Sequence, residues 1–134
     1  MKRTNTFFWT ATGLFSLMMI FSAYQYLNAP EMKSAFEHLG FPSYFRLELA
    51  IAKLVGASAL LLPFVPNGFK QFAYAGFTFN LISASIAHIS MGDGFQAVMM
   101  PLIFLLVLVV SYLYYNKIKK VELTKKLQFL SANS

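Results

Sequence analysis

Lys53 is the residue whose type and position most directly suggest chemistry, because it falls in the middle of a long apolar stretch. A lysine at the centre of a bilayer costs roughly 2.5 to 3.5 kcal/mol on insertion scales, so it should face the interior of a helix bundle and have a partner there. Such an amine could pair with the anionic or carbonyl group of a lipophilic ligand. It could equally be a structural charge that Asn80, Glu48 or backbone carbonyls satisfy, and the sequence leaves both interpretations open.

Two polar layers are expected at different depths. Counting about 1.5 Å per helical residue from the outer helix ends places Lys53 and Asn80 about 14 and 16 Å deep. The same count places Glu48 and His88 within about 6 Å of the outer ends. His88 could transfer protons together with Glu48, because imidazole titrates near neutral pH, or it could be an ordinary interfacial hydrogen-bonding residue. A metal site needs three or more converging ligands, so none is expected here.

The composition indicates which kind of protein carries these residues. Of the 134 residues, 57% are hydrophobic and only 12% are charged, whereas soluble domains have about 25% charged residues. This balance excludes disorder, and the surplus of apolar side chains must face lipid rather than water. The chain has no cysteine, which excludes disulfide scaffolds, thiol nucleophiles and dithiol electron shuttles.

Four stretches are long and apolar enough to cross a bilayer, whose core of about 30 Å needs about 20 helical residues. They cover residues 7–27, 44–62, 69–91 and 97–115. Breaks rich in proline, glycine and asparagine separate them. The pattern predicts an all-α membrane protein, a bundle of four transmembrane helices, with a transmembrane domain at 1–116 and a basic cytoplasmic tail at 117–134.

The loop between the first two predicted spans has a helical pattern of its own. Pro30 at the start and Gly40 past the end bracket it. Within it, Met32, Phe36 and Leu39 share one apolar face. We therefore predict a short interfacial helix over 31–39 in the first extracytoplasmic loop.

Lysine and arginine in short loops determine the orientation of a membrane protein. Four crossings put both termini on one side, and that side collects eight of the eleven basic residues, against two on the other. This distribution predicts a multi-pass protein of the cytoplasmic (inner) membrane with both termini in the cytoplasm. The basic tail should meet anionic lipid headgroups, so the expected partner of the positive charge is the lipid bilayer and not nucleic acid.

Small residues predict which helices approach closely, because membrane helices associate where their backbones can come together. Such residues share one face of the second predicted span (Ala52, Gly56 and Ala59) and one face of the third (Ala73, Gly76, Asn80, Ser83, Ala84 and Ala87). We expect these two faces to pack against each other, with Lys53 at the edge of the contact.

Several short motifs resemble one family of membrane proteins. They are the turn at 39–42 (LGFP) and the segments 52–57 (AKLVGA) and 74–79 (YAGFTF), followed by Ala84, His88 and Gly92-Asp93. In this order and spacing they resemble the DoxX-like membrane proteins, over about residues 9–115. The resemblance implies a four-helix bundle of the bacterial cytoplasmic membrane, and the namesake of the family is a subunit of a quinone-linked sulfur oxidoreductase. The family-like positions of this chain are Lys53, Tyr74, Gly76, His88 and Asp93.

Two functions from different classes fit these observations. The first is a non-catalytic membrane protein that binds a lipophilic ligand or a partner subunit through the polar layer between the second and third helices. Its candidate ligand-binding residues are Glu48, Lys53, Tyr74, Asn80 and His88, and it needs no cofactor. The second is an accessory subunit of a membrane quinone-linked oxidoreductase, with His88 and Glu48 moving protons at the outer face and a quinone as the cofactor. Both functions are compatible with a homo-oligomer, and in neither of them is the chain an enzyme on its own.

Overall fold

The computed structural model describes residues 2–134, which form α-helices joined by short turns. The helices are α1 (Lys2–Asn28), α2 (Pro30–His38), α3 (Ser43–Leu61), α4 (Asn67–Ser90) and α5 (Phe95–Ala132). The four long helices form a ring in which α1 and α4 each pack against both α3 and α5, while α2 lies against α1 and α3. The predicted all-α class is confirmed, and α2 is a helix where a short loop helix was predicted.

Three helices, α1, α4 and α5, are long and apolar enough to cross a membrane. Helix α3 has 19 residues, a length of about 28 Å, but the charged residues Arg46, Glu48 and Lys53 keep it out of this group. A membrane crossing by α3 and an interfacial position of α2 therefore stay predictions.

Aromatic side chains fill the centre of the ring. Phe15 of α1 meets Phe77 of α4 edge to face, with ring centroids 5.0 Å apart. Gly56 of α3 lies against the same Phe77 ring, and a Cβ built on Gly56 would stand 2.7 Å from it. The missing side chain lets α3 approach α4 at this level, as the small residues of the second predicted span indicated.

A cluster of hydroxyl groups lies inside the apolar core where α1, α4 and α5 meet. The hydroxyl of Ser111 lies 2.5 Å from Thr12 Oγ1 and 2.7 Å from the Tyr74 hydroxyl. All three side chains are buried. Because a buried hydroxyl needs a hydrogen-bond partner, the cluster fixes the relative positions of the three helices.

Lys70 is a buried lysine with a structural partner. Its ammonium donates to the carbonyls of Ala59 and Leu60, at 3.0 and 3.1 Å. The last carbonyls of a helix lack partners within the helix, and a cation there interacts favourably with the helix dipole. Lys70 therefore caps the C-terminus of α3.

Helix α5 continues without interruption for 38 residues, a length of about 57 Å. Pro101 lies within it, and near this point the Ser85 hydroxyl donates to the Val98 carbonyl. That carbonyl is adjacent to the one that a proline leaves without its donor. The basic segment is a largely exposed helical continuation of α5, and its division from the transmembrane domain at residue 116 stays a prediction.

Candidate functional site

A cavity of about 950 Å³ is bordered by all five helices, and its volume lies near the upper end of the roughly 300 to 1,000 Å³ of ligand pockets. Most of its wall consists of phenylalanine, methionine and aliphatic side chains. The polar side chains on the wall are Ser22, Gln25, Tyr26, Lys53, Asn80, Ser83 and His88. Helices α3 and α4 are in contact, and the small residues of α4 that were expected at this contact, from Ala73 to Ala87, also border the cavity.

Lys53 is only 5% exposed, and its ammonium is held by α1 rather than by α4. Its Nζ donates to Ser22 Oγ and to the Tyr26 hydroxyl, both at 2.9 Å, and lies 4.0 Å from the centroid of the Tyr26 ring. Neither Asn80 nor Glu48 is among its hydrogen-bond partners. The sequence interpretation missed Ser22 and Tyr26, although their spacing of four residues places them on one face of α1.

The Lys53 ammonium lacks an acidic partner in the described part of the chain. An ammonium has three hydrogen-bond donors, and neutral hydroxyls use two of them. None of the ion pairs formed within residues 2–134 involves Lys53. Because a buried charge without an opposite charge is costly, this geometry favours an anionic or carbonyl group beside the ammonium.

The other candidate site residues lie in different places. Asn80 and His88 border the same cavity as Lys53. Glu48 is exposed and lies outside the cavity wall. Tyr74 is buried in the hydroxyl cluster, where it contacts Ser111. The structure therefore brings three of the five candidates to one cavity and separates the other two from it.

His88 belongs to a second polar cluster, at the end of the cavity near α2. Asp93 follows α4 and accepts hydrogen bonds from His88 Nδ1 at 2.7 Å and from His38 Nε2 at 2.9 Å. The His38 side chain, at the end of α2, is 51% exposed. Asp93, and not Glu48 as expected, is thus the acidic partner of His88, and the cluster joins α2 to the α4–α5 turn.

The backbone at the end of α4 brings Asp93 back to His88. The chain turns at Gly92, whose φ is +71°, a left-handed conformation that glycine adopts without steric cost. The Asp93 amide then donates to the His88 carbonyl at 3.0 Å, as in a Schellman C-cap. A glycine and an aspartate four and five residues after a histidine are the sequence signal for this contact.

The hydrogen bonds from His88 and then from His38 hold the pKa of Asp93 below its ordinary value. The carboxylate therefore stays ionised, and accepts both hydrogen bonds, through neutral and mildly acidic pH. Since the pKa is lowered in the folded state, the stabilisation is present above the ordinary pKa of aspartate and is lost as the pH falls through the lowered value. The connection between α2 and the α4–α5 turn therefore persists at physiological pH.

Apolar helices of spanning length, with large apolar side chains on their outer faces, define a helical membrane protein, and its cavity has the size of a ligand site. The family model described as the DoxX-like family matches residues 10–111. The chain belongs to this family, which confirms the resemblance carried by its short motifs. Comparison with curated proteins and with solved structures gave no match.

Proposed function

We propose that this DoxX-like protein binds a lipophilic ligand in its cavity, with the Lys53 ammonium anchoring an anionic or carbonyl group of the ligand. One observation carries the proposal: a buried ammonium, held by two neutral hydroxyls, borders an apolar cavity of about 950 Å³. A hydrogen bond to a charged group contributes about 1.5 to 3 kcal/mol, which corresponds to roughly tenfold to over a hundredfold in affinity.

Lys53→Met tests this proposal, because methionine keeps much of the side chain's length and removes its charge. Native mass spectrometry after gentle detergent extraction should find a lipophilic acid or carbonyl compound on the wild-type protein. We expect about tenfold less of it on the variant. Lys70→Met is the matched control, since Lys70 is also buried but caps α3 outside the cavity wall. Equal retention by the wild type and by folded Lys53→Met protein would contradict the anchor.

We also propose that α3 is a fourth crossing, that α2 lies at the outer surface, and that both termini lie in the cytoplasm of a bacterial inner membrane. Arg46 and Glu48 occur in the first two turns of α3, close to the headgroup level. Lys53 is hydrogen-bonded inside the ring of helices. With these placements no charge of α3 has to face hydrocarbon, which is the requirement for a crossing.

Single cysteines test this topology on a chain that has none of its own. A membrane-impermeant maleimide should label Lys33→Cys and Gln96→Cys in intact cells, because Lys33 is exposed on α2 and Gln96 is exposed in the first turn of α5, at its proposed outer end. It should label Ser131→Cys only after the membrane has been permeabilised. Labelling of Lys33→Cys and Gln96→Cys on opposite sides of the membrane would show that α3 does not cross.

A second candidate is the accessory subunit of a membrane quinone-linked oxidoreductase, acting with a partner subunit or a second copy. The observation that favours it is the contact of His88 with Asp93. A histidine that donates Nδ1–H to a carboxylate keeps Nε2 as a proton acceptor while it is neutral, and the His88 ring borders the cavity. A quinone in the mass spectrum of the extracted protein would favour this candidate.

A further inference from the structure

The end of the cavity near α2 is closed by two sets of contacts. Asp93 joins His38 of α2 to His88 of α4. Phe36 of α2 is buried and packs edge to face on Tyr26 of α1, with ring centroids 5.0 Å apart. A ligand that entered from this end would have to separate both contacts.

The cavity wall is most exposed at its side, between α3 and α4. Residues that border the cavity are exposed on both helices, and we call this edge the side opening: Ala52 and Val55 on α3, and Phe72, Gly76, Phe79 and Ser83 on α4. The side chains of Val55, Phe72 and Phe79 are 66%, 80% and 76% exposed. The α4 residues follow the i, i+4, i+7, i+11 spacing of one helix face. In a membrane, this mostly apolar opening faces acyl chains.

We propose that the ligand enters through the side opening from the bilayer and that it is a carboxylic acid with a long hydrocarbon chain. This inference rests on the proposed function and adds the ligand class and its route. The apolar cavity wall suits the hydrocarbon chain of such an acid, and the Lys53 ammonium suits its carboxyl group. A head with a permanent charge crosses hydrocarbon at high cost, whereas a carboxylic acid passes as the neutral form. Inside the cavity its carbonyl oxygen accepts a hydrogen bond from the Lys53 ammonium.

Gly76 allows the side opening to be narrowed without disturbing the core. A Cβ added at Gly76 meets no heavy atom within 4 Å, so a leucine there extends into open space on the cavity wall. Gly13 of α1 is the matched control, because a Cβ added there also meets nothing within 4 Å and Gly13 does not border the cavity. The pair Gly76→Leu and Gly13→Leu therefore separates blockage of the opening from the general effect of a new helical side chain.

The test measures how fast isotope-labelled oleic acid, supplied in phosphatidylcholine vesicles, loads onto the protein in phosphatidylcholine nanodiscs. We expect Gly76→Leu to slow loading about tenfold and Gly13→Leu to leave it unchanged. A further variant carries His38→Cys and Asp93→Cys joined by a short bifunctional thiol reagent. This variant should take up oleic acid at the wild-type rate, because the cross-link closes only the end of the cavity near α2, which the ligand does not use.

Three outcomes would overturn the inference. Slow loading of the cross-linked variant together with fast loading of Gly76→Leu would place the route at the α2 end. Equal binding of oleyl alcohol and oleic acid would remove the acid as the ligand class. A second copy or another subunit in native mass spectra that is lost from Gly76→Leu but not from Gly13→Leu, with no oleic acid bound, would make this groove a helix interface. The proposed function fails separately, when Lys53→Met retains as much endogenous ligand as the wild type.

Discussion

Gly56→Ala is expected to lower the free energy of unfolding by about 1 to 3 kcal/mol, the usual cost of overpacking a well-packed core. The new Cβ would stand 2.7 Å from the Phe77 ring, closer than a carbon contact allows. The ring is buried and meets Phe15 edge to face, but it also borders the cavity, so a small rotation into that space would place the cost at the lower end of this range. Unfolding in mixed micelles, followed by circular dichroism, measures the change.

The control for this result is the same substitution on α4. Gly76→Ala meets no heavy atom within 4 Å, and alanine is favoured over glycine in a helix by about 0.8 to 1 kcal/mol. Gly76→Ala should therefore be neutral or stabilising. Adding Phe77→Leu to Gly56→Ala should restore part of the lost stability if the clash is with the ring. An equal loss of unfolding free energy for Gly56→Ala and Gly76→Ala would show that the close approach of α3 and α4 does not contribute to stability.

Ser111→Ala is expected to destabilise the protein by about 1 to 3 kcal/mol, because it leaves buried hydroxyls without their partner. The Ser111 hydroxyl contacts both Thr12 and Tyr74. Replacing all three hydroxyl residues, as Thr12→Val, Tyr74→Phe and Ser111→Ala, should cost less than the sum of the three single substitutions, since no polar group then remains unpaired. The same unfolding experiment compares the four variants.

Ligand retention gives this prediction a second readout. None of the three hydroxyl residues borders the cavity of about 950 Å³. Ser111→Ala should therefore retain ligand as the wild type does while it is less stable. Loss of ligand from a folded Ser111→Ala protein would contradict the purely structural role that we expect of this cluster and would support Tyr74 as a ligand-binding residue.

The helices could be predicted well because length and apolar content are local properties. The predicted span at 69–91 corresponds to α4 (Asn67–Ser90), and Pro63 and Pro66 mark the break before it. The burial of Lys53 could also be anticipated, since a lysine within an apolar stretch has to be sheltered.

The contacts between helices could not be derived in the same way. Lys53 bonds to Ser22 and Tyr26 because α3 lies beside α1, and periodicity within one helix does not say which neighbour it will have. A row of small residues is equally compatible with close packing and with a cavity wall. Gly56 packs against α4, whereas Gly76 lines open space. The contact of His88 with Asp93 could have been predicted from the sequence, because the helix cap that creates it is local.

Because α5 is long, a small tilt near its start produces a larger displacement at its far end. Pro101 borders the cavity, and Leu130 lies on the same unbroken helix at a distance of about 44 Å. A tilt of about 5° at the proline would move Leu130 by about 4 Å over that length. A fluorophore near the end of the helix would therefore report small angular changes that begin beside a bound molecule.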